Sequence, residues 1–402
     1  MRPFKSLISW EEGKKLLLSC IRPVEDTEKI TLLKAYKRVL AENIIASMNV
    51  PPFTRAAMDG YAVKATDTYQ AKNLNPVKLK LKGSVFTGQP SRIFIKEGEC
   101  VKVATGAPLP EGTDAVVMVE DTEEERNWVK IYKPVHPGEN VSPAGEDIKE
   151  GQKVLSRGDF LTPARIGVLA ALGKNQVEVF IKPRVMIISS GEEILSPGKP
   201  LEEGKIYDVN SYTLFSLVEE NGGRAILGSN LKDDVESVIQ GIKNALSEDL
   251  IVITGGSSAG EKDVIKEAVT KMGKLLFHGL AVKPGKPTLA AIIRGKLVIG
   301  MPGYPTSCLT NAYALLIPLL RKLAHLPPKR EVIAKVSLSR RITSTLGRHQ
   351  FLPVKLKNGE AIPVFKESGA ITSMSEAHGY IEIPANVDLL EKGDVVEVKL
   401  FY

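Results

Sequence analysis

The residues best suited to chemistry lie between 249 and 307. Asp249-Leu250-Ile251-Val252-Ile253 is an apolar, β-branched run that reads as a buried parallel strand. It leads into Thr254-Gly255-Gly256-Ser257-Ser258-Ala259-Gly260-Glu261-Lys262-Asp263, too rich in Gly and Ser to pack side chains but suited to bringing backbone N–H groups against an anion. Asp263 is placed to cap the helix that restarts at Val264. Strand, glycine loop and helix N-terminus form a common oxyanion-binding geometry. Two further strand-end loops follow, Lys283-Pro284-Gly285-Lys286-Pro287 and Met301-Pro302-Gly303-Tyr304-Pro305-Thr306-Ser307. Open α/β sheets bind ligands at such ends, and Lys283 and Lys286 would suit a phosphate. A P-loop is excluded, because Glu261 stands where its lysine is required, and no strand is followed by Gly-x-Gly-x-x-Gly. A single glycine loop of this kind could simply turn the chain; three in one α/β unit make that reading weaker.

The elements needed to position these loops are legible over much of the chain of 402 residues. Ser9 and Glu12 form a capping box for a helix over about residues 10–21. A second helix is predicted from Glu28 to Ile45, with Ile30, Leu33, Tyr36, Val39 and Leu40 on one face, ended by Val50-Pro51-Pro52-Phe53. Short alternating runs such as Val77-Lys78-Leu79-Lys80-Leu81 make residues 64–145 β-rich. Thr162-Pro163 starts a helix to Leu172. From Arg184 to Ala324 strands alternate with helices, as in a doubly wound, mostly parallel sheet. Residues 331–402 read as short strands of a small β-barrel or sandwich.

Composition narrows the function classes. The net charge of +7 suits a small anion, but the excess is dispersed and no basic-aromatic stripe indicates nucleic acid. No apolar run has the length of a membrane span, and the first residues lack a signal-peptide core. Cys20, Cys100 and Cys308 are far apart, which points to a reducing cytoplasm rather than to disulfides or zinc. The five histidines show no metal-ligand spacing.

Thr-Gly-Gly-Ser-Ser-x-Gly-Glu-x-Asp, Lys-Pro-Gly-Lys-Pro and Pro-Gly-x-Pro-x-Ser, in this order, resemble the molybdopterin molybdenumtransferase family, which includes MoeA and the gephyrin E domain. Ala57-Met58-Asp59-Gly60-Tyr61-Ala62, Thr105-Gly106-Ala107-Pro108, Gly145-Glu146-Asp147 and Ser190-Gly191-Glu192-Glu193 extend the resemblance over nearly the whole chain. It implies five segments: N-terminal helices (1–50), an inserted β-rich domain (51–145), a helical linker region (146–180), an α/β molybdopterin-binding domain (181–326) and a C-terminal β-barrel (327–402).

The same resemblance implies the chemistry: molybdenum insertion from molybdate into adenylylated molybdopterin, with cleavage of the adenylyl phosphoanhydride and release of AMP. Asp59, Thr105, Asp147, Glu193, Asp233 and Asp263 are the catalytic candidates, joined by Asp208. Thr254, Gly255, Gly256, Ser257, Ser258, Gly260, Lys283, Lys286, Pro302, Gly303, Pro305 and Ser307 are expected to bind substrate. Clustered loop carboxylates repel unless a divalent cation offsets them, and oxygen ligands favour Mg²⁺ or a similar ion, expected on Asp59, Glu193 and Asp263. A cytoplasmic homodimer with a shared site is implied, with molybdopterin adenylyltransferase as a transfer partner. Tungsten insertion, or a peptide-binding scaffold like the gephyrin E domain, are the alternatives. Tyr304, Gly279 and His378 depart from the family pattern.

Overall fold

The computed structural model describes residues 7–255, 263–366 and 369–401. The chain divides into two compact units. One comprises Met1–Glu28, Lys37–Val39 and Glu178–Tyr402; the other Lys29–Tyr36 and Leu40–Val177.

The first unit opens with helix α1 (Trp10–Cys20), whose Ser9 accepts from the Glu12 N–H while the Glu12 carboxylate accepts from the Ser9 N–H. Its centre is a six-stranded sheet built from β1 (Arg184–Ser190), β2 (Arg224–Leu227), β3 (Leu250–Gly255), β4 (Lys274–His278), β5 (Leu289–Ile293) and β6 (Lys296–Met301), in the order β2-β1-β3-β6-β5-β4. Only β5 runs against the others. Both faces are covered, which is why β3 is apolar throughout: Leu250 and Val252 enter one core and Ile251 and Ile253 the other. Burying each such side chain contributes roughly 1.5–3 kcal/mol. Helices α2 (Asn210–Glu220), α3 (Val235–Ala245), α4 (Val264–Met272), α5 (Pro305–Asn311) and α6 (Ile317–Leu323) accompany the sheet. Asp234 caps α3 through the Ser237 N–H, and Asp263 caps α4 through the Lys266 N–H.

Beyond the helices, strands Ile333–Leu338, His349–Lys357, Glu360–Pro363, Gly379–Ile383 and Val395–Leu400 close into a five-stranded barrel. Val282–Lys283 adds to it in parallel with His349 and Gln350. The barrel alternative of the sequence reading is therefore the one adopted, around Leu352, Val354, Ile381 and Val398.

The second unit holds a six-stranded sheet in the order Ala115–Met118, Gly60–Val63, Glu99–Val103, Val77–Val85, Trp128–Ile131, Thr122–Glu125. It too buries both faces, with Tyr61 and Val63 in one cluster and Ala62 in the other. Gly60 is required by a close approach: a Cβ there would lie 1.9 Å from the Val117 carbonyl oxygen. Pro163–Ala171 is helical and capped by Thr162, as expected.

The helix expected from Glu28 to Ile45 does not form. Thr27–Thr31 and Ile44–Ile45 are strands and Leu32–Lys34 is a single 3₁₀ turn. Leu33 is 96% exposed, so the apparent apolar face is not buried as one. The Leu40 N–H bonds to the Asp159 carbonyl and the Ala46 N–H to the Gln152 carbonyl, so distant partners replace the helical ladder. Lys37, at φ 63°, could not continue a helix in any case.

Candidate active site

Strand register gathers the expected loops of the first unit at one end of its sheet. Ser190 pairs with Gly255 and Thr254 with Met301, so β1, β3 and β6 end together. Gly300 and His278 both pair with Leu289, which brings the end of β4 and the loop before β5 to the same end.

Close backbone packing shapes that end. Gly255 adopts φ +96°, and a Cβ on it would stand 2.0 Å from the Ser190 carbonyl oxygen, so only glycine fits. Asn210, the first residue of α2, donates both amide hydrogens across the gap, to Thr254 Oγ1 (2.8 Å) and to the Gly303 carbonyl (2.7 Å). One side chain thereby ties the loops after β3 and β6 together. Among the described residues Asn210 Oδ1 and Ser190 Oγ are buried without a partner. Cys308, 3.9 Å from Thr254 Oγ1, has its thiol pushed up to about 12 by burial, which removes it as a nucleophile. Pro302 and Gly303 lead into α5, where Pro305 occupies the first turn and Ser307 is buried.

A second asparagine fixes the lysine loop. Asn311 donates to the Gly285 carbonyl (3.0 Å) and to Thr288 Oγ1 (2.8 Å), and the Lys286 carbonyl accepts from the N–H groups of Leu280 and Thr288. The backbone is thus held while the Lys283 and Lys286 side chains stay half-exposed. Lys283 Nζ lies 3.5 Å from Thr345 Oγ1, on a segment of the C-terminal region. Beside it is a cavity of about 250 Å³ lined by Lys283, Arg340, Arg341, Thr343 and Gln350 among others, with no carboxylate among the described residues of its wall. Arg340 and Arg341 are candidate anion contacts that the sequence reading missed; a Ser-Arg-Arg run before a short strand gives no local signal of facing Lys283.

Carboxylates complete this end. Glu193 is folded back over its own turn, its oxygens 2.6 and 2.8 Å from where a Cβ on Gly191 would stand. The Asp233 carboxyl is held above its usual range, first by burial and then by Glu193, Glu192, Asp234 and Asp263. These groups therefore share one field of like charge. Asp263 is already committed: Oδ1 accepts from the Lys266 N–H (3.0 Å) and Oδ2 lies 2.6 Å from His278 Nε2. Asp208 Oδ1 accepts from the Ser211 N–H, serving the start of α2.

Gly256, Ser257, Ser258 and Gly260 lie outside the described residues. Asp59, Thr105 and Asp147 belong to the second unit. There, the Thr105 N–H (2.7 Å) and Oγ1 (3.0 Å) both donate to Asp59 Oδ1. The backbone bond first and the hydroxyl second hold the exposed Asp59 carboxyl below its usual range. The Asp147 N–H bonds to the Val50 carbonyl, and neighbouring Asn140 accepts at its carbonyl from the Ala57 N–H, so the 140–147 segment is fastened beside the Asp59 turn. Asp59 and Thr105 are brought into contact; Asp147 sits on an adjoining loop, exposed.

Among the described residues no three His, Cys, Asp or Glu side chains converge as a closed metal site. The donor set still fits Mg²⁺, which keeps several waters and is usually held by one or two carboxylates together with substrate phosphate oxygens. Glu193 and Asp233 are suited, because their mutual repulsion is the penalty a cation would relieve. The oxygens of Asp263 are engaged elsewhere.

Comparison with known proteins agrees along the chain. Residues 8–173 match the MoeA N-terminal region (domains I and II), residues 186–322 a probable molybdopterin-binding domain, and residues 335–401 the MoeA C-terminal region (domain IV). A Methanocaldococcus jannaschii protein named for molybdopterin biosynthesis is 37% identical over 417 residues, covering 100% of both chains. The molybdopterin molybdenumtransferase of Staphylococcus aureus is 31% identical over 378 residues, 92% of this chain and 90% of its own. The crystal structure of a molybdopterin biosynthesis MoeA protein from Pyrococcus horikosii superposes with a TM-score of 0.88 at 40% identity, covering 99% of this chain and 100% of that one.

Proposed function

The chain belongs to the MoeA family of molybdopterin molybdenumtransferases, enzymes that insert molybdenum into molybdopterin, and we propose that it does so by opening the adenylyl phosphoanhydride of adenylylated molybdopterin at the sheet end described above. The observation that carries this reading is the convergence, by strand register, of Gly255, Gly303, Glu193, Asp233 and the lysine loop at that one end.

Each group has a distinct task. Gly255 and Gly303 let the ligand approach main-chain N–H groups closely, and Asn210 holds their loops at fixed separation. Lys283 and Lys286, their backbone pinned by Asn311, supply positive charge to phosphate and to molybdate, with Arg340 and Arg341 extending that field. Glu193 and Asp233 would hold Mg²⁺, which when bound offsets negative charge on the phosphate oxygens. Asp263, oriented by its bonds to the Lys266 N–H and to His278, is positioned to accept a proton or to orient water. In the second unit, Asp59 is kept ionised by Thr105 and is the carboxylate of that unit best prepared to meet a cation or a donor on the substrate. The enzyme acts as a homodimer in a cytoplasmic pathway, receiving its adenylylated substrate from an adenylyltransferase.

The test is direct. The purified chain is given adenylylated molybdopterin with and without molybdate, and AMP and molybdenum cofactor are quantified together. Coupled appearance of both only with molybdate supports the proposal; AMP release indifferent to molybdate and tungstate contradicts it.

A further inference from the structure

An aromatic-walled cavity of the first unit lies away from the site described above. It has a volume of about 490 Å³, within the range of small-molecule sites. Its apolar wall is aromatic: Trp10 of α1, Tyr313, Tyr380 and Phe401, with Tyr313 and Phe401 ring centres 4.4 Å apart and Tyr380 and Phe401 5.7 Å apart.

Its rim is cationic. Lys14, Arg321, Lys322, Lys329, Arg330 and Lys399 line it, against only Glu331 and Glu382. Both carboxylates are taken by Lys399, at 3.1 and 3.0 Å. Among the described residues, the other five cations form no ion pair. Three are instead tethered to main-chain carbonyls: Lys322 Nζ to Leu18 (2.7 Å), Lys329 Nζ to Phe401 (2.8 Å) and Arg321 Nε to Pro327 (2.7 Å). Lys14 and Lys329 each stand 5.9 Å from an aromatic ring centre, over Trp10 and Tyr313. The tethers fix where the charges sit without neutralising them. Like charges held around an apolar cavity repel one another, and a bound anion would relieve that repulsion where water is partly excluded.

We propose that this cavity is a second ligand site, for a nucleotide-sized organic anion with one planar aromatic body and one phosphate, carboxylate or sulfonate group. The ring would lie against Trp10, Tyr313 and Phe401, and the anionic group would face Lys14, Lys329 and Arg330. None of these residues takes part in molybdenum insertion as assigned above, so the proposal stands independently of it.

The experiment is a fluorescence titration of the full chain with anilinonaphthalene sulfonate, alongside its uncharged relative N-phenylnaphthylamine. One saturable site per chain is expected, with energy transfer from Trp10 that Trp10→Phe abolishes while leaving binding. A Lys14→Glu/Arg330→Glu variant should weaken the anion at least about tenfold and leave the neutral probe unchanged, and rising salt should weaken the anion alone. Arg330→Ala, at an exposed position, serves as a milder variant should the reversal disturb folding. Equal affinity for charged and neutral probes, an anion affinity indifferent to these substitutions, or binding of an acidic peptide with no binding of the small anion would each overturn the proposal.

Discussion

At Asp59 the structure makes a charge argument that pH can check. Two donors from Thr105 meet one carboxylate oxygen, and the folded-state pKa is depressed. The corresponding stabilisation is present above the ordinary carboxylate range and is lost as pH falls through the depressed value. In a carboxyl NMR titration Asp59 should therefore protonate below the ordinary aspartate range. Thr105→Val keeps the backbone N–H but not the hydroxyl, so the shift should shrink without vanishing; an unchanged titration would show that the hydroxyl contributes nothing. Asp233 has the opposite sign. Its raised pKa means that folding tightens its proton, so the folded state is penalised at neutral pH and relieved as pH falls. Glu193→Gln removes one of the charges behind that penalty. The variant should melt at the wild-type temperature or slightly above it while losing activity, which separates a catalytic carboxylate from a structural one. A lowered melting temperature would place Glu193 in the fold's support instead.

Among elements, the loop ends after β3 and β6 are the most demanding. Gly255→Ala adds a Cβ at positive φ against the Ser190 carbonyl and should cost at least about 1–3 kcal/mol in strain. Among the described residues Gly303→Ala meets only the Gly255 Cα at 3.5 Å and should be nearly neutral to stability, with any effect falling on substrate affinity. Denaturant unfolding of the two variants checks the contrast; equal losses would contradict it. The same elements show what could be read beforehand. β3 was legible because burial on both faces imposes an unbroken apolar run, and α1 because Ser9 and Glu12 announce it locally. The 28–45 stretch was not, since its hydrogen bonds go to residues 152–159 and 175, which spacing within the stretch cannot reveal. Asn210 and Asn311 were missed for a related reason. Each acts by joining backbone segments distant in sequence, and asparagine near a helix end carries no mark of that task. The lysine loop, in contrast, was found because proline and glycine at a strand end are themselves the local signal.

For the whole molecule, the resemblance implies a homodimer, and sedimentation of the purified chain should give twice the mass of 43.7 kDa. If two copies complete the catalytic set, an inactive Asp59→Asn chain mixed with an inactive Asp263→Asn chain should regain part of the activity. Heterodimers that form and remain inactive would exclude that arrangement. Chelation should stop the reaction without unfolding the protein, because among the described residues no closed metal site supports the fold. The central claim is that carboxylates at the sheet end serve phosphoanhydride opening during molybdenum insertion. The measurement closest to it is single-turnover AMP release from adenylylated molybdopterin with molybdate and Mg²⁺, comparing wild type with Glu193→Gln after substrate binding has been matched by calorimetry. The account requires AMP release to fall by about 100-fold or more while binding is retained; release at the wild-type rate by Glu193→Gln, or by wild type in saturating chelator, would contradict it.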